Sequence, residues 1–213
     1  MKPQHKVFNL IILDESGSMQ SIKHDIIQGF NEVVQTIKGV EKQYPEQQHI
    51  ISLLTFNGLG RKYLLENMPV SELSEINENQ FMPDASTPLY DAIGFSTGKL
   101  RAYLANESDY NVLVTILTDG EENSSKEYKG RDIKQLVEEL ELQNWTFTYI
   151  GADHDVKKFA LSISITNSII FEKEPEKMNQ MFHQEKEARL RFSQKIRNHE
   201  KLTDNFYDND ENT

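Results

Sequence analysis

Val7-Phe8-Asn9-Leu10-Ile11-Ile12-Leu13-Asp14-Glu15-Ser16-Gly17-Ser18-Met19 is the stretch from which the rest of the chain is read. Its first seven residues are almost continuously apolar, the pattern of a strand covered on both faces in a parallel sheet. At Asp14 the run stops and a turn composition begins. Lys2 and Lys6 ahead of it give a superficial likeness to an export signal. The run is too short for one, no small-residue cleavage site follows and Asp14 closes it, so a buried strand and a cytoplasmic protein are expected.

Downstream, the hydrophobic period switches repeatedly between helix and strand. Ile22, Ile26, Ile27, Phe30, Val33, Val34 and Ile37 recur at three- and four-residue steps and define one stripe of a helix. Residues 50–56 read as a second strand, and Asn57-Gly58-Leu59-Gly60 as a turn into a short third strand at 62–66, an antiparallel hairpin at a sheet edge. A polar stretch over 68–86 reads as a long loop. It leads to Thr87-Pro88 and a helix carrying Leu89, Ala92, Ile93, Leu100 and Leu104. Residues 111–117 form strand four, ending in Thr118-Asp119-Gly120; a helix with Ile133, Leu136, Val137 and Leu140 follows, then strand five at 145–150. A short helix near 156–161 and a strand near 168–171 complete the alternation.

That order predicts an α/β fold: a doubly wound, mostly parallel six-stranded sheet with one antiparallel edge strand, plus a C-terminal helix. The main domain is expected over 1–172 and a helical extension over 173–202, where Met178, Met181, Phe182, Ala188, Phe192 and Ile196 fall at roughly helical spacing. Packing of that stripe on its own domain is the default, and a second chain the alternative. An acidic, disordered tail is expected over 203–213.

Composition narrows the partners. A formal net charge of −11 over 213 residues opposes a nucleic-acid backbone or an anionic membrane surface and favours cations. No segment approaches membrane-spanning length. There is no cysteine, so a metal must sit among oxygens or imidazoles, and the six histidines show no paired ligand spacing.

In a doubly wound sheet, ligands collect outside the carboxyl ends of the strands. Strand one delivers Asp14, Ser16 and Ser18 there, strand four Asp119, and the loop before the Leu89 helix Thr87. Two carboxylates and three hydroxyls suit a hard cation, Mg²⁺ first with Mn²⁺ or Ca²⁺ possible, and suit zinc poorly. Asp14-x-Ser16-x-Ser18 alone is weak, because such residues also cap helices without metal, and Thr87 before Pro88 has the same bland reading. Glu15, Asp91, Glu121 and Glu122 are read as a solvated rim or helix surface. Glu15 and Glu121, if they flank a metal, would select against an acidic partner.

Taken together, Asp14-x-Ser16-x-Ser18, Thr87 and Asp119 resemble the metal ion-dependent adhesion site of von Willebrand factor A (VWA) domains. The Asp-Glu-Ser-Gly-Ser-Met start, Ser86-Thr87-Pro88-Leu89 and Thr118-Asp119-Gly120 agree with that family, and the likeness runs from about residue 7 to 171. The resemblance implies that Ser16, Ser18 and Thr87 contact the metal directly or nearly so and that Asp14 and Asp119 act through water. It implies a non-enzymatic, cation-dependent protein-interaction module whose metal takes an Asp or Glu of a partner protein. The oligomeric state is not implied.

A rival reading makes Asp14 the acceptor of a Mg²⁺-dependent phosphotransferase or hydrolase, since an aspartate at the first strand end also serves aspartyl-phosphate chemistry. Those enzymes resemble Asp-x-Asp, whereas position 16 is serine, and the chain has no Gly-x-x-x-x-Gly-Lys-Ser/Thr loop, Gly-x-Ser-x-Gly elbow or Gly-x-Gly-x-x-Gly fingerprint. A structural subunit with a vestigial site is the third.

Overall fold

The computed structural model describes residues 5–152, 155–202 and 205–207. Six strands, β1 (His5–Asp14), β2 (Gln47–Asn57), β3 (Gly60–Pro69), β4 (Tyr110–Thr118), β5 (Trp145–Gly151) and β6 (Asn167–Ile170), form one sheet in the order β3-β2-β1-β4-β5-β6. Every neighbouring pair is parallel except β2 and β3, whose antiparallel pairing makes β3 the edge. The expected architecture is therefore the observed one. The helices are α1 (Lys23–Gln43), α2 (Leu89–Tyr103), α3 (Gly130–Glu141), α4 (Val156–Ser162) and α5 (Pro175–Asn198).

The two-residue period of β1 sorts its side chains between two cores. Phe8, Leu10 and Ile12 join Val114, Ile116, Phe147 and Tyr149 under α2, α3 and α4. Ile11 and Leu13 join Leu53, Leu117 and Ile150 under α1 and α5. Both faces are covered, so the strand is apolar almost throughout, as the run 7–13 required.

Helix α5 packs on its own domain: Met178, Met181, Phe182, Ala188, Phe192 and Ile196 are all buried. Phe182 lies against Gly29 of α1, where an added Cβ would come within 2.0 Å of a ring carbon, so the missing side chain is what admits the ring. Beneath the helix a polar cluster crosses the apolar layer. Arg189 donates to Glu185 (Nε to Oε1, 2.8 Å), to Asn9 (Nη1 to Oδ1, 3.0 Å) and to Thr115 (Nη2 to Oγ1, 2.7 Å), and all four residues are buried.

Two expectations need amendment. The stretch 68–86 is a loop only in part, because Val70–Glu72 form a 3-10 turn and Val70, Leu73, Ile76 and Phe81 are buried. Four apolar residues spread through a polar segment have no period, which is why the sequence reads as solvated there. The acidic tail is not disordered from 203 throughout: Phe206 is buried, its N–H donates to Asn167 Oδ1 at 3.0 Å, and the Tyr207 hydroxyl donates to Glu185 Oε2 at 2.9 Å. Aromatic side chains outweigh the acidic composition at those two positions. Residues 203, 204 and 208–213 lie outside the described residues.

His49 on β2 is buried in this layer and its Nε2 has no hydrogen-bond partner among the described residues. Burial first, then the positive Arg189 and His5 nearby, push its pKa down to about 3. The unfolded chain takes up a proton near pH 6.5 and the folded chain does not, so the stabilising contribution is complete above about pH 6.5 and is lost as pH falls toward 3. Urea titrations of the wild type across that window should show midpoints falling with pH, and His49→Gln should flatten the slope.

Candidate metal centre

The register of the central strands brings the site together before any loop is considered. Leu13 of β1 pairs with Leu117 of β4, so Asp14 and Thr118 leave the sheet side by side. The Thr118 hydroxyl donates to Asp14 Oδ2 at 2.6 Å, and the Ser16 N–H donates to Asp14 Oδ1 at 2.7 Å. Both carboxylate oxygens of Asp14 are thereby engaged, and the residue has no exposed surface. Thr118 is a site residue that sequence reading passed over; its signal was its place immediately before Asp119 at a strand end.

Beyond Asp14 the chain makes a 3-10 turn over Gly17–Ile22, which turns the serines back over the strand ends. Ser16 Oγ and Ser18 Oγ lie 3.2 Å apart, and Ser18 donates to Asp119 Oδ1 at 2.6 Å. The Thr87 hydroxyl is near the same strand end: a Cβ placed on Gly120 would lie 3.8 Å from Thr87 Oγ1 and 4.0 Å from Ser18 Oγ. Asp14, Ser16, Ser18 and Asp119 are thus joined by a chain of short contacts, and Thr87 stands across Gly120 from Ser18.

Thr87 is not the cap of α2. That helix begins without a side-chain cap, and the Thr87 backbone is used instead: its N–H donates to Asn123 Oδ1 (2.9 Å), and its C=O accepts from Asn123 N–H (3.2 Å). Asn123 so clips the Thr87 loop to the segment after β4 and leaves the hydroxyl for the site. Glu122 accepts from the N–H groups of Tyr90, Ser124 and Ser125, and Asp91 from those of Lys126, Glu127 and Tyr128. Acidic side chains wrapped by backbone donors fix the loops, so Asp91 and Glu122 are not a solvated rim.

Glu15 also departs from expectation. It is buried, pairs with Lys62 (3.0 Å) and accepts from the Met82 N–H; it ties β1 to β3 and to the 80s loop and does not flank the site as a free charge. Glu121 is exposed. Asp153 and His154, which follow β5, lie outside the described residues; the cap of α4 is Asp155, which accepts from Lys158 N–H.

Burial, opposed by the Thr118 and Ser16 hydrogen bonds and reinforced by the Asp119 charge, raises the Asp14 pKa to about 6. Lys173, between β6 and α5, places its ammonium 2.8 Å from Asp119 Oδ2. Nothing in the sequence marked that residue, which stands in a charged run. The donor chemistry, two buried carboxylates and three hydroxyls, fits a hard dication, and among the described residues there is no group of three or more His, Asp or Glu that could hold a metal ion.

No protein-family model matches the sequence, and no curated protein matches it. Solved structures do. Proximal thread matrix protein 1 from the mussel byssus superposes with a TM-score of 0.54 at 12% identity, covering 88% of this chain and 47% of that one, so this chain spans about half the mussel protein. The VWA domain of SpRpn10 superposes with a TM-score of 0.51 at 12% identity, covering 84% of this chain and 94% of that domain. At such identities the likeness concerns the fold, which is VWA/Rossmann-like. No helix among the described residues is long and apolar enough to cross a membrane.

Proposed function

We propose that the protein is a non-enzymatic, cation-dependent interaction module: Asp14, Ser16, Ser18, Thr87 and Asp119 hold one divalent ion, and an aspartate or glutamate of a partner protein docks on it. Magnesium is the ion of choice on availability in the cytoplasm, where we place the protein, with manganese or calcium as substitutes. The observation that carries this reading is the convergence of two fully buried carboxylates from neighbouring strands with three hydroxyls from two loops.

A bound dication supplies a Lewis-acidic contact for a visiting carboxylate. The chain's own residues do the rest. Asp14 and Asp119 bring two negative charges into a site with no exposed surface at either residue beyond 1%, where charges attract strongly. Thr118 and the Ser16 N–H fix the Asp14 carboxylate, and Asn123 fixes the Thr87 loop. Beside the Asp14 turn opens a cleft of about 530 Å³ whose lining includes Lys23, Arg61, Lys62 and Met82. The same lining holds Glu15 and Asp84, so the cleft is of mixed charge, and the pairing of Glu15 with Lys62 removes the objection that the Glu15 charge raised.

The phosphotransferase reading asks Asp14 to attack, yet both its oxygens accept hydrogen bonds and it is covered. That arrangement suits holding a cation better than presenting a nucleophile.

Calorimetric titration of the full chain with Mg²⁺ and Mn²⁺ tests the proposal. Binding is expected, weakened by roughly tenfold or more in Thr87→Ala, with unfolding in EDTA unchanged because that hydroxyl caps no helix. Absence of binding in the wild type and in variants outside the site would end the metal reading. Mg²⁺-dependent turnover of a phosphate ester, lost in Asp14→Asn, would put phosphotransfer in its place.

A further inference from the structure

Among the clefts, charge clusters and apolar faces outside the five-residue set, Lys173 is the feature with the most to say. It belongs to the four-residue connection between β6, which ends at Ile170, and α5, which begins at Pro175. Its ammonium lies 2.8 Å from Asp119 Oδ2, and the Asp119 side chain has no exposed surface whereas that of Lys173 keeps 27%. The other Asp119 oxygen accepts from Ser18. A buried carboxylate of the proposed cation site is therefore already matched with a cation belonging to the chain itself.

We infer that Lys173 is a tethered counter-ion of the site, which sets its affinity for divalent metal low by occupying Asp119. This rests on the metal reading above and goes beyond it, since no lysine enters that donor set. The physical reason is competition within a small, buried volume. Asp119 cannot give its full charge to a dication while an ammonium sits on Oδ2, and an ammonium left in place repels the incoming ion. Metal capture must either displace Lys173 to solvent or tolerate its charge. Both routes weaken binding by the stability of the pair, in the way a binding-competent state that is only partly populated weakens any ligand. The partial exposure of the lysine gives it somewhere to go: its stem can stay on the surface while the head group turns to water.

The consequence is a site tuned to respond to metal concentration instead of being permanently filled. It also places the tuning residue at the foot of α5, outside the loops that donate ligands.

The test is calorimetry with Mn²⁺ and with Mg²⁺ on the full chain, comparing wild type, Lys173→Met and Lys173→Arg, each checked for folding by circular dichroism in EDTA. Lys173→Met should tighten Mn²⁺ binding by at least about tenfold, and Lys173→Arg, which keeps the positive charge, should stay within about threefold of wild type. In EDTA the methionine variant should melt at lower temperature than wild type, since Asp119 loses its counter-ion, and added Mn²⁺ should reverse the order. Lys173→Gln serves the same comparison if the methionine variant does not fold. Equal or weaker binding in Lys173→Met, with the wild type binding metal, overturns the counter-ion role and leaves the metal site standing. Metal binding in none of the three overturns both. Binding only in Lys173→Met supports the inference in its strongest form.

Discussion

Arg189→Ala is expected to destabilise the protein by about 3–5 kcal/mol, the usual penalty for leaving a buried charge without its partner. Glu185 would then face the apolar layer with only the Tyr207 hydroxyl and a long contact to Thr115 (3.4 Å). Asn9 and Thr115 would each lose a donor as well. At roughly 2–4 °C per kcal/mol for a chain of this size, the melting temperature should fall by an amount readily seen in a thermal scan. The informative companion is the double variant Glu185→Leu, Arg189→Met. Removing both charges spares the protein the unpaired carboxylate, and apolar side chains of similar volume commonly replace buried pairs without loss. The double variant should recover most of the stability, giving a coupling energy of at least about 2 kcal/mol in a double-mutant cycle. If the two single changes simply add, the cluster is not acting as a unit.

Asp14→Asn should show two effects of opposite sign. Metal binding should be abolished in calorimetry, because half the site's anionic charge is gone. The metal-free protein, however, should become more stable at neutral pH. The folded carboxyl holds its proton up to about pH 6, against an ordinary value of 3.8. Stability therefore decreases as pH rises from about 3.8 to about 6, and the cost of the buried charge is present in full above that. At 1.36 kcal/mol per pKa unit the cost is on the order of 2–3 kcal/mol, which asparagine removes while keeping an acceptor for the Ser16 N–H. Melting in EDTA at pH 7.5 should thus rise in the variant, and the gap should close toward pH 4. A variant that loses metal and also melts lower would mean that Asp14 is chiefly a structural anchor for Thr118 and Ser16.

The legibility of this molecule differs from one element to the next for physical reasons. β1 announced itself because a strand covered on both faces has no polar side to interrupt its apolar run, and the stripe of α1 did so because its period is 3.6. Four of the five candidate site residues, Asp14, Ser16, Ser18 and Asp119, are legible because turn-forming serines and aspartates fall at the ends of two strands that the alternation of elements makes neighbours, and Thr87 because it stands before Pro88 at a helix start. What the sequence concealed were contacts between residues distant in the chain with no period of their own. Thr118 serves Asp14 across 104 positions, and Lys173 reaches Asp119 from a charged stretch that resembles any solvated surface. Glu15, Asp91 and Glu122 read as surface charge in the sequence because a carboxylate wrapped in backbone N–H groups has the same one-letter code as one facing water. Phe206 and Tyr207 were lost in an acidic tail whose average composition speaks for disorder, although two aromatics suffice to seat a short segment.

The pairing of Leu13 with Leu117 has a bearing on how a ligand is received. Asp14 is the last residue of β1 and Asp119 directly follows the last residue of β4, so the amide ladder between these two central strands brings the two acids to neighbouring positions before the outer loops contribute. A cation arriving there finds its anionic anchors already set at a fixed gauge, and little freedom remains to be lost on capture. Lengthening or shortening the outer loops should therefore alter which visitors can approach while the spacing of these two anchors stays constant, a division of labour between a rigid floor and a variable rim.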